Sequence, residues 1–267
     1  MENTFKVTFL GANGSCSYNN NKRQKYGTNT PCVALKAGTE TLIFDAGSGI
    51  CGLRYLPEYQ STDTKLFFSH YHMDHIDGLL FCAELFDPSK KFVIYGSGDV
   101  KETISSIISP PLCPIGTEAF RAEISYCSTG PGETISLSDD VKIHTYSLSH
   151  PGGALGYRVD YNGKSFCYCD DVELAAHQED EGLIEFTRDA DLLVMDSAFS
   201  DGKVIPGWGH SSPCECAKWA KMVNAKRLAL YHYNYLMTDD EIDAMEEAAR
   251  IIFTDTVAVY DGMTVSI

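Results

Sequence analysis

Apolar positions along this chain follow two periods, and their boundaries predict most of its elements. Residues 5–10 (Phe-Lys-Val-Thr-Phe-Leu) alternate as a half-buried strand does. Residues 32–36 and 41–45 read as a hairpin, and the apolar run 65–68 as a further short strand. Strands are predicted again at 92–95, 122–127, 141–147, 155–161 and 165–169, the last two joined by the turn pair Asn162-Gly163. The runs 191–196 and 226–232 are apolar and end on polar side chains. Between them the spacing turns helical. Ile76, Leu79, Leu80, Ala83 and Phe86 fall on one helix face. Asp99 and Glu102 read as a capping box, Ser212 caps a helix with Pro213 at its first position, and Thr238 opens one running to about Phe253. This order fits an α/β fold: a four-layer αββα sandwich of two mixed sheets between helices, residues 1–267 forming one domain with its site at one sheet edge.

Composition narrows the setting. With 267 residues and 44% apolar content the chain can bury a substantial core, and no run approaches the ~18 apolar residues of a membrane span. The first residues show no basic and apolar leader pattern, so the expected location is cytoplasmic. The net charge of −16 disfavours a large polyanion such as tRNA or DNA as partner, though not a small anion at a metal site. Ten cysteines lie scattered without a Cys-x-x-Cys pair, which reads as buried thiols in a reducing compartment. The long polar loop 11–30 carries the one concentrated basic cluster, Lys22, Arg23 and Lys25. Its alternatives are a solvated loop and a functional one.

The candidate chemistry centres on Ser69-His70-Tyr71-His72-Met73-Asp74-His75, where a strand gives way to a helix. Open α/β sheets place their sites at such carboxyl ends. His70 and His72, two apart on extended chain, point the same way and can share one metal, while Asp74 and His75 come after the turn and can serve a second.

His-x-His-x-Asp-His after a strand resembles the signature of the metallo-β-lactamase fold superfamily. The likeness extends over nearly the whole chain and is strongest toward its phosphodiesterase-like branch, cyclic phosphodiesterases and tRNA 3′-processing ribonucleases. The resemblance implies that His150 completes the first metal with His70 and His72. Asp74, His75 and His232 would hold the second, and Asp171 would bridge the two, with Asp170 the alternative in the doubled aspartate. It also implies that Asp45, ending a strand, orients a ligand histidine. Two divalent ions are implied, Zn(II) favoured by the nitrogen and oxygen ligands, with Mn(II) an alternative. Gly209-His210-Ser211-Ser212 resembles the His-Ser-Thr motif of the same branch, with Asp196-Ser197-Ala198-Phe199 ahead of it as that branch has Asp-Ala-x-Tyr. His144 and His177 are left as structural or surface residues.

The expected function is hydrolysis of a small phosphodiester, cyclic ones included, by a metal-bridging hydroxide, with Asp74 and His210 catalytic. The alternatives are a metal-dependent hydrolase of a lactone, thioester or other acyl bond, and a non-catalytic binding module. No membrane partner is expected, and the oligomeric state is left open, a homodimer included.

Overall fold

The computed structural model describes residues 4–19 and 21–267. Its strands in chain order are β1 (Phe5–Gly11), β2 (Cys32–Ala37), β3 (Glu40–Phe44), β4 (Asp63–Phe67), β5 (Lys91–Gly96), β6 (Glu123–Ser128) and β7 (Thr134–Ser136), then β8 (Val141–Leu148), β9 (Ala154–Tyr161), β10 (Lys164–Cys169), β11 (Leu192–Asp196), β12 (Leu228–Tyr231), β13 (Thr256–Ala258) and β14 (Thr264–Ser266). Two mixed seven-stranded sheets result, ordered β14-β1-β2-β3-β4-β5-β6 and β13-β12-β11-β10-β9-β8-β7. The α-helices are α1 (Met73–Ile76), α2 (Val100–Ile107), α3 (Glu181–Thr187), α4 (Pro213–Met222) and α5 (Asp239–Ile252). The sequence reading lacked the three short strands β7, β13 and β14, each three residues long and too brief to show a period.

Period-two alternation sorts the first sheet's side chains between two cores. Leu42, Phe44 and Phe67 join the large cluster between the sheets, while Ile43, Leu66 and Phe68 point the other way into a second cluster under α2 and the short turns. Phe44 sits at the centre of the larger one, its ring 5.5 Å from those of Phe67, Tyr157 and Tyr168. Both sheets are therefore tied together directly behind the strand ends that carry the polar motifs.

Local signals hold at the helix starts. Ser212 and Thr238 each make a reciprocal capping box, with Glu215 and Glu241, worth about 1 kcal/mol apiece. The helix expected over Ile76 to Phe86 does not run through. After α1 the chain breaks into 3₁₀ turns at Leu79–Phe81 and Ala83–Phe86. Gly78 lies against the strand-end loop, its N–H donating to the Ala46 carbonyl at 3.0 Å, and a Cβ there would sit 2.1 Å from the Gly47 oxygen. That close approach fixes the chain's path, and the apolar spacing is satisfied by turns instead.

The basic cluster of the 11–30 loop is consumed by structure. Arg23 is buried and donates to the carbonyls of Gly27, Asn234 and Met237, and Lys25 pairs with Asp243. All ten cysteines are unpaired thiols. Cys32, Cys82, Cys167, Cys169 and Cys216 are buried as expected, but Cys16 and Cys51 are exposed. Among the described residues no helix is long and apolar enough to cross a membrane.

Candidate metal centre and active site

The carboxyl ends of β3, β4, β8, β10, β11 and β12 meet along one edge of the sandwich, and each is followed by a polar residue of the motifs. Asp45 follows β3, His70 lies just past β4, and His150 just past β8. Asp170 and Asp171 follow β10, Asp196 ends β11, and His232 follows β12. Leu155 ties the sheets here, its N–H donating to the Ser69 carbonyl at 2.9 Å.

Asp171 is the point on which the histidines converge. Its carboxylate lies 3.1 Å from Nε2 of His70, of His75 and of His232, and 3.6 Å from Nε2 of His150. His150 Nε2 is in turn 3.0 Å from His72 Nδ1. Asp74 Oδ2 approaches His232 Nε2 at 3.2 Å and His75 Nε2 at 3.6 Å, and it accepts the Ser15 N–H at 2.8 Å. Asp170 behaves differently from its neighbour: it lies 3.1 Å from the Tyr168 hydroxyl oxygen and accepts from the Asp171 N–H. Two adjacent aspartates are thus divided by backbone, Asp171 having φ of +48°. Asp45 and His232 also adopt left-handed φ, +58° and +60°, a cost of about 1–3 kcal/mol each that persists only where surrounding packing enforces it.

Behind this group stands a layer of fixed partners. Asp45, fully buried, accepts from His75 Nδ1 at 2.9 Å, from the Ser69 N–H and hydroxyl, and from the Tyr168 hydroxyl across the sheet interface. His150 Nδ1 donates to the Gly209 carbonyl at 2.9 Å. His210 Nδ1 donates to Asp196 Oδ2 at 2.6 Å, with Asp171 Oδ1 3.5 Å away. His177 is buried as well: Nδ1 donates to Asp180 at 2.7 Å and Nε2 accepts the Ser149 N–H at 3.0 Å, steadying the strand end beside His150. His144 lies apart, near Thr134 and Asp160.

Proton affinities reflect the crowding. Burial penalises charge on His75, yet Asp74, Asp45 and Asp171 hold it well above the ordinary histidine value. His232 is raised against burial by Asp171 and Asp170. His70 moves the other way, to about 4, because burial and neighbouring His75 both oppose its charge. Burial pushes Asp170 up to about 8, whereas His232 and His75 overcome burial and hold Asp171 well below the carboxylate range.

The residues fit a pair of cations. Ligand atoms of His70, His72, His150 and Asp171 lie within 4.8 Å of one another, and so do those of His75, Asp170, Asp171 and His232. His70 Nε2, His75 Nε2 and Asp171 Oδ1 are buried without a hydrogen-bond partner, each omission costing about 1–3 kcal/mol if nothing else satisfies it. Imidazole and carboxylate donors gathered this way suit Zn(II).

Three features of the site were not found in the sequence. Asp196 as the partner of His210 had a weak signal, a carboxylate closing an apolar strand as Asp45 does. The Ser15 N–H and the Gly209 carbonyl are backbone groups and had none.

The family model for the beta-lactamase superfamily domain matches residues 41–233, and the chain belongs to that family. The chain is similar to ribonuclease Z of Prochlorococcus marinus subsp. pastoris, 26% identical over 302 aligned positions that cover 90% of this chain and 94% of that one. Among solved structures it resembles the metallo-β-lactamase fold protein YhfI from Bacillus subtilis, with a TM-score of 0.76 at 20% identity and full coverage of both chains. It also resembles the short form of human tRNase Z, with a TM-score of 0.72 at 20% identity, covering 98% of this chain and 99% of that one. The αββα expectation stands, and with these relatives the chain takes its place as a metal-dependent hydrolase of the phosphodiesterase-like branch.

Proposed function

We propose that the chain hydrolyses a phosphodiester whose phosphate is held between the Asp171 cluster and His210. The observation that supports this best is the arrangement of His210 itself. Its ring is 5.2 Å from those of both His150 and His232, yet its Nδ1 is taken by Asp196.

His70, His72 and His150 would hold one divalent ion and Asp74, His75 and His232 the other, with Asp171 shared and Zn(II) favoured over Mn(II). Bound there, such ions supply positive charge to phosphoryl oxygens and acidify a water. The side chains supply the rest. Asp74, fixed by the Ser15 N–H, orients the attacking water and takes its proton. Asp196 raises the proton affinity of His210 against burial. The ring's other nitrogen then faces the phosphate, and its proton passes to the departing oxygen.

The relatives are ribonucleases, so an RNA end is the second reading of the substrate. A small diester is favoured by three features of this chain. Its charge is −16, two of the three residues of its basic cluster, Arg23 and Lys25, are tied to partners within the chain, and the ribonuclease alignment runs to 302 positions against 267 residues here, so that the relative carries segments without counterpart.

The test is hydrolysis of bis(p-nitrophenyl) phosphate by zinc-loaded protein, with Asp74→Ala and a 3′-extended tRNA transcript alongside. Turnover abolished by chelator and by the substitution supports the reaction class. Faster processing of the transcript at physiological salt overturns the small-substrate reading. No turnover with two ions bound would move the reading to acyl bonds.

A further inference from the structure

Trp208, two residues ahead of His210 in the chain, stands 59% exposed, while the chain's other tryptophan, Trp219, is 5% exposed and donates to Thr187. A single exposed apolar residue is ordinary on a protein surface. What sets Trp208 apart is how firmly its backbone is held. The N–H groups of Gly207 and Gly209, on either side of it, both donate to Glu173 Oε2, at 2.8 and 3.0 Å. Its own N–H donates to the Ile205 carbonyl at 3.2 Å. Both glycines have left-handed φ, +81° and +78°, and a Cβ on Gly209 would lie 2.3 Å from His150 Nδ1. The loop is therefore packed against the site at His150, and the backbone that carries the indole is held rather than slack.

A line of rings leads inward from it. Phe199 packs edge-on to Trp208 with centroids 6.4 Å apart, and edge-on to His210 at 5.9 Å. Phe199 braces the indole, and more than half of the Trp208 surface stays open. An exposed, braced indole two residues from His210 is placed to receive a flat ring attached close to the phosphate.

Resting on the phosphodiester reading above, we propose that Trp208 is a stacking platform for a nucleobase, making the substrate class a nucleotide diester rather than a sugar or alkyl one. Glu173 is its positioning residue. Base stacking on an aromatic side chain tolerates any base, since every base has a π-face. The platform thus selects for a base without selecting which.

The experiment compares inhibition of bis(p-nitrophenyl) phosphate hydrolysis by adenosine 5′-monophosphate and by ribose 5-phosphate, which share the sugar phosphate and differ in the base. In the unaltered zinc protein the nucleotide is expected to bind about 10-fold tighter, the lower range of base stacking. In Trp208→Ala that ratio falls to about one with the ribose 5-phosphate constant unchanged, and Trp208→Phe keeps part of it. A ratio of one in the unaltered protein, or one that Trp208→Ala leaves intact, overturns the proposal. Equal weakening of both inhibitors would show a role in the wall alone and overturn it too. Fluorescence supplies a readout apart from turnover: adenosine 5′-monophosphate should quench the exposed indole saturably, and the quench should vanish in Trp208→Phe, where Trp219 alone emits. If the diester is not hydrolysed at all, the phosphodiesterase reading fails while the titration still reports the stack.

Discussion

His210 Nδ1 lies 2.6 Å from Asp196 Oδ2, and that carboxylate also receives the Val172 N–H at 3.3 Å. The pair is therefore tied to the residue following Asp171, so His210 is positioned by the same chain segment that carries Asp171. A histidine whose one nitrogen is occupied by a buried carboxylate has a single nitrogen left for substrate.

Replacing His210 by alanine should lower kcat on a phosphodiester by about 100-fold or more, the usual share of a positioned proton donor. The zinc content should stay at that of the unaltered protein by elemental analysis. Because His210 also falls within ligand distance of Asp171, Asp196 and His232, loss of an ion would instead make it a ligand.

Asp45→Asn should weaken binding of one ion. Asp45 fixes the tautomer of His75 through Nδ1, and an amide must turn its NH₂ toward one of the donors that the carboxylate now accepts. Outer partners of this kind alter metal affinity by about 10–100-fold. Competition with a chromogenic chelator should show one of two sites released early. Two sites of unchanged affinity would remove Asp45 from the site's support.

His177→Ala should destabilise the fold by about 1–3 kcal/mol in urea unfolding, because the part-buried Ser149 N–H loses its acceptor and Asp180 loses one of its donors. A midpoint equal to that of the unaltered protein would show that the strand end is held by other contacts.

Asp261 gives a stability effect with a defined pH window. It accepts the N–H groups of Thr28 and Asn29, and burial raises its folded pKa to about 6. The unfolded value is about 3.9. A raised folded pKa means that protonation favours the native state: this stabilisation is complete below about pH 4 and lost as pH rises through 6. Asp261→Asn keeps an acceptor for the loop without the charge. It should therefore be more stable than the unaltered protein at pH 8, with the difference shrinking or reversing at pH 4. A pH-independent difference in urea midpoint would show that the carboxyl is not held protonated.

Sequence alone determined what depends on neighbours along the chain. Alternation located most strands, i to i+3 chemistry located the caps at Ser212 and Thr238, and the density of histidine and aspartate at strand ends marked the candidate centre. Those signals survive because the interactions behind them are local. Tertiary structure decided the rest. Asp170 and Asp171 have the same side chain and adjoin in sequence, and only the left-handed turn at Asp171 aims one carboxylate at four histidines. The helix expected after His75 gave way because Gly78 must meet the loop after β3. His177 became a support for Ser149, and Arg23 and Lys25 became internal ties, because the partners that claim them lie 28, 211 and 218 residues away in the chain. A partner brought in by folding leaves no periodicity to read, since its position is set by packing of the whole sandwich and not by the residues beside it.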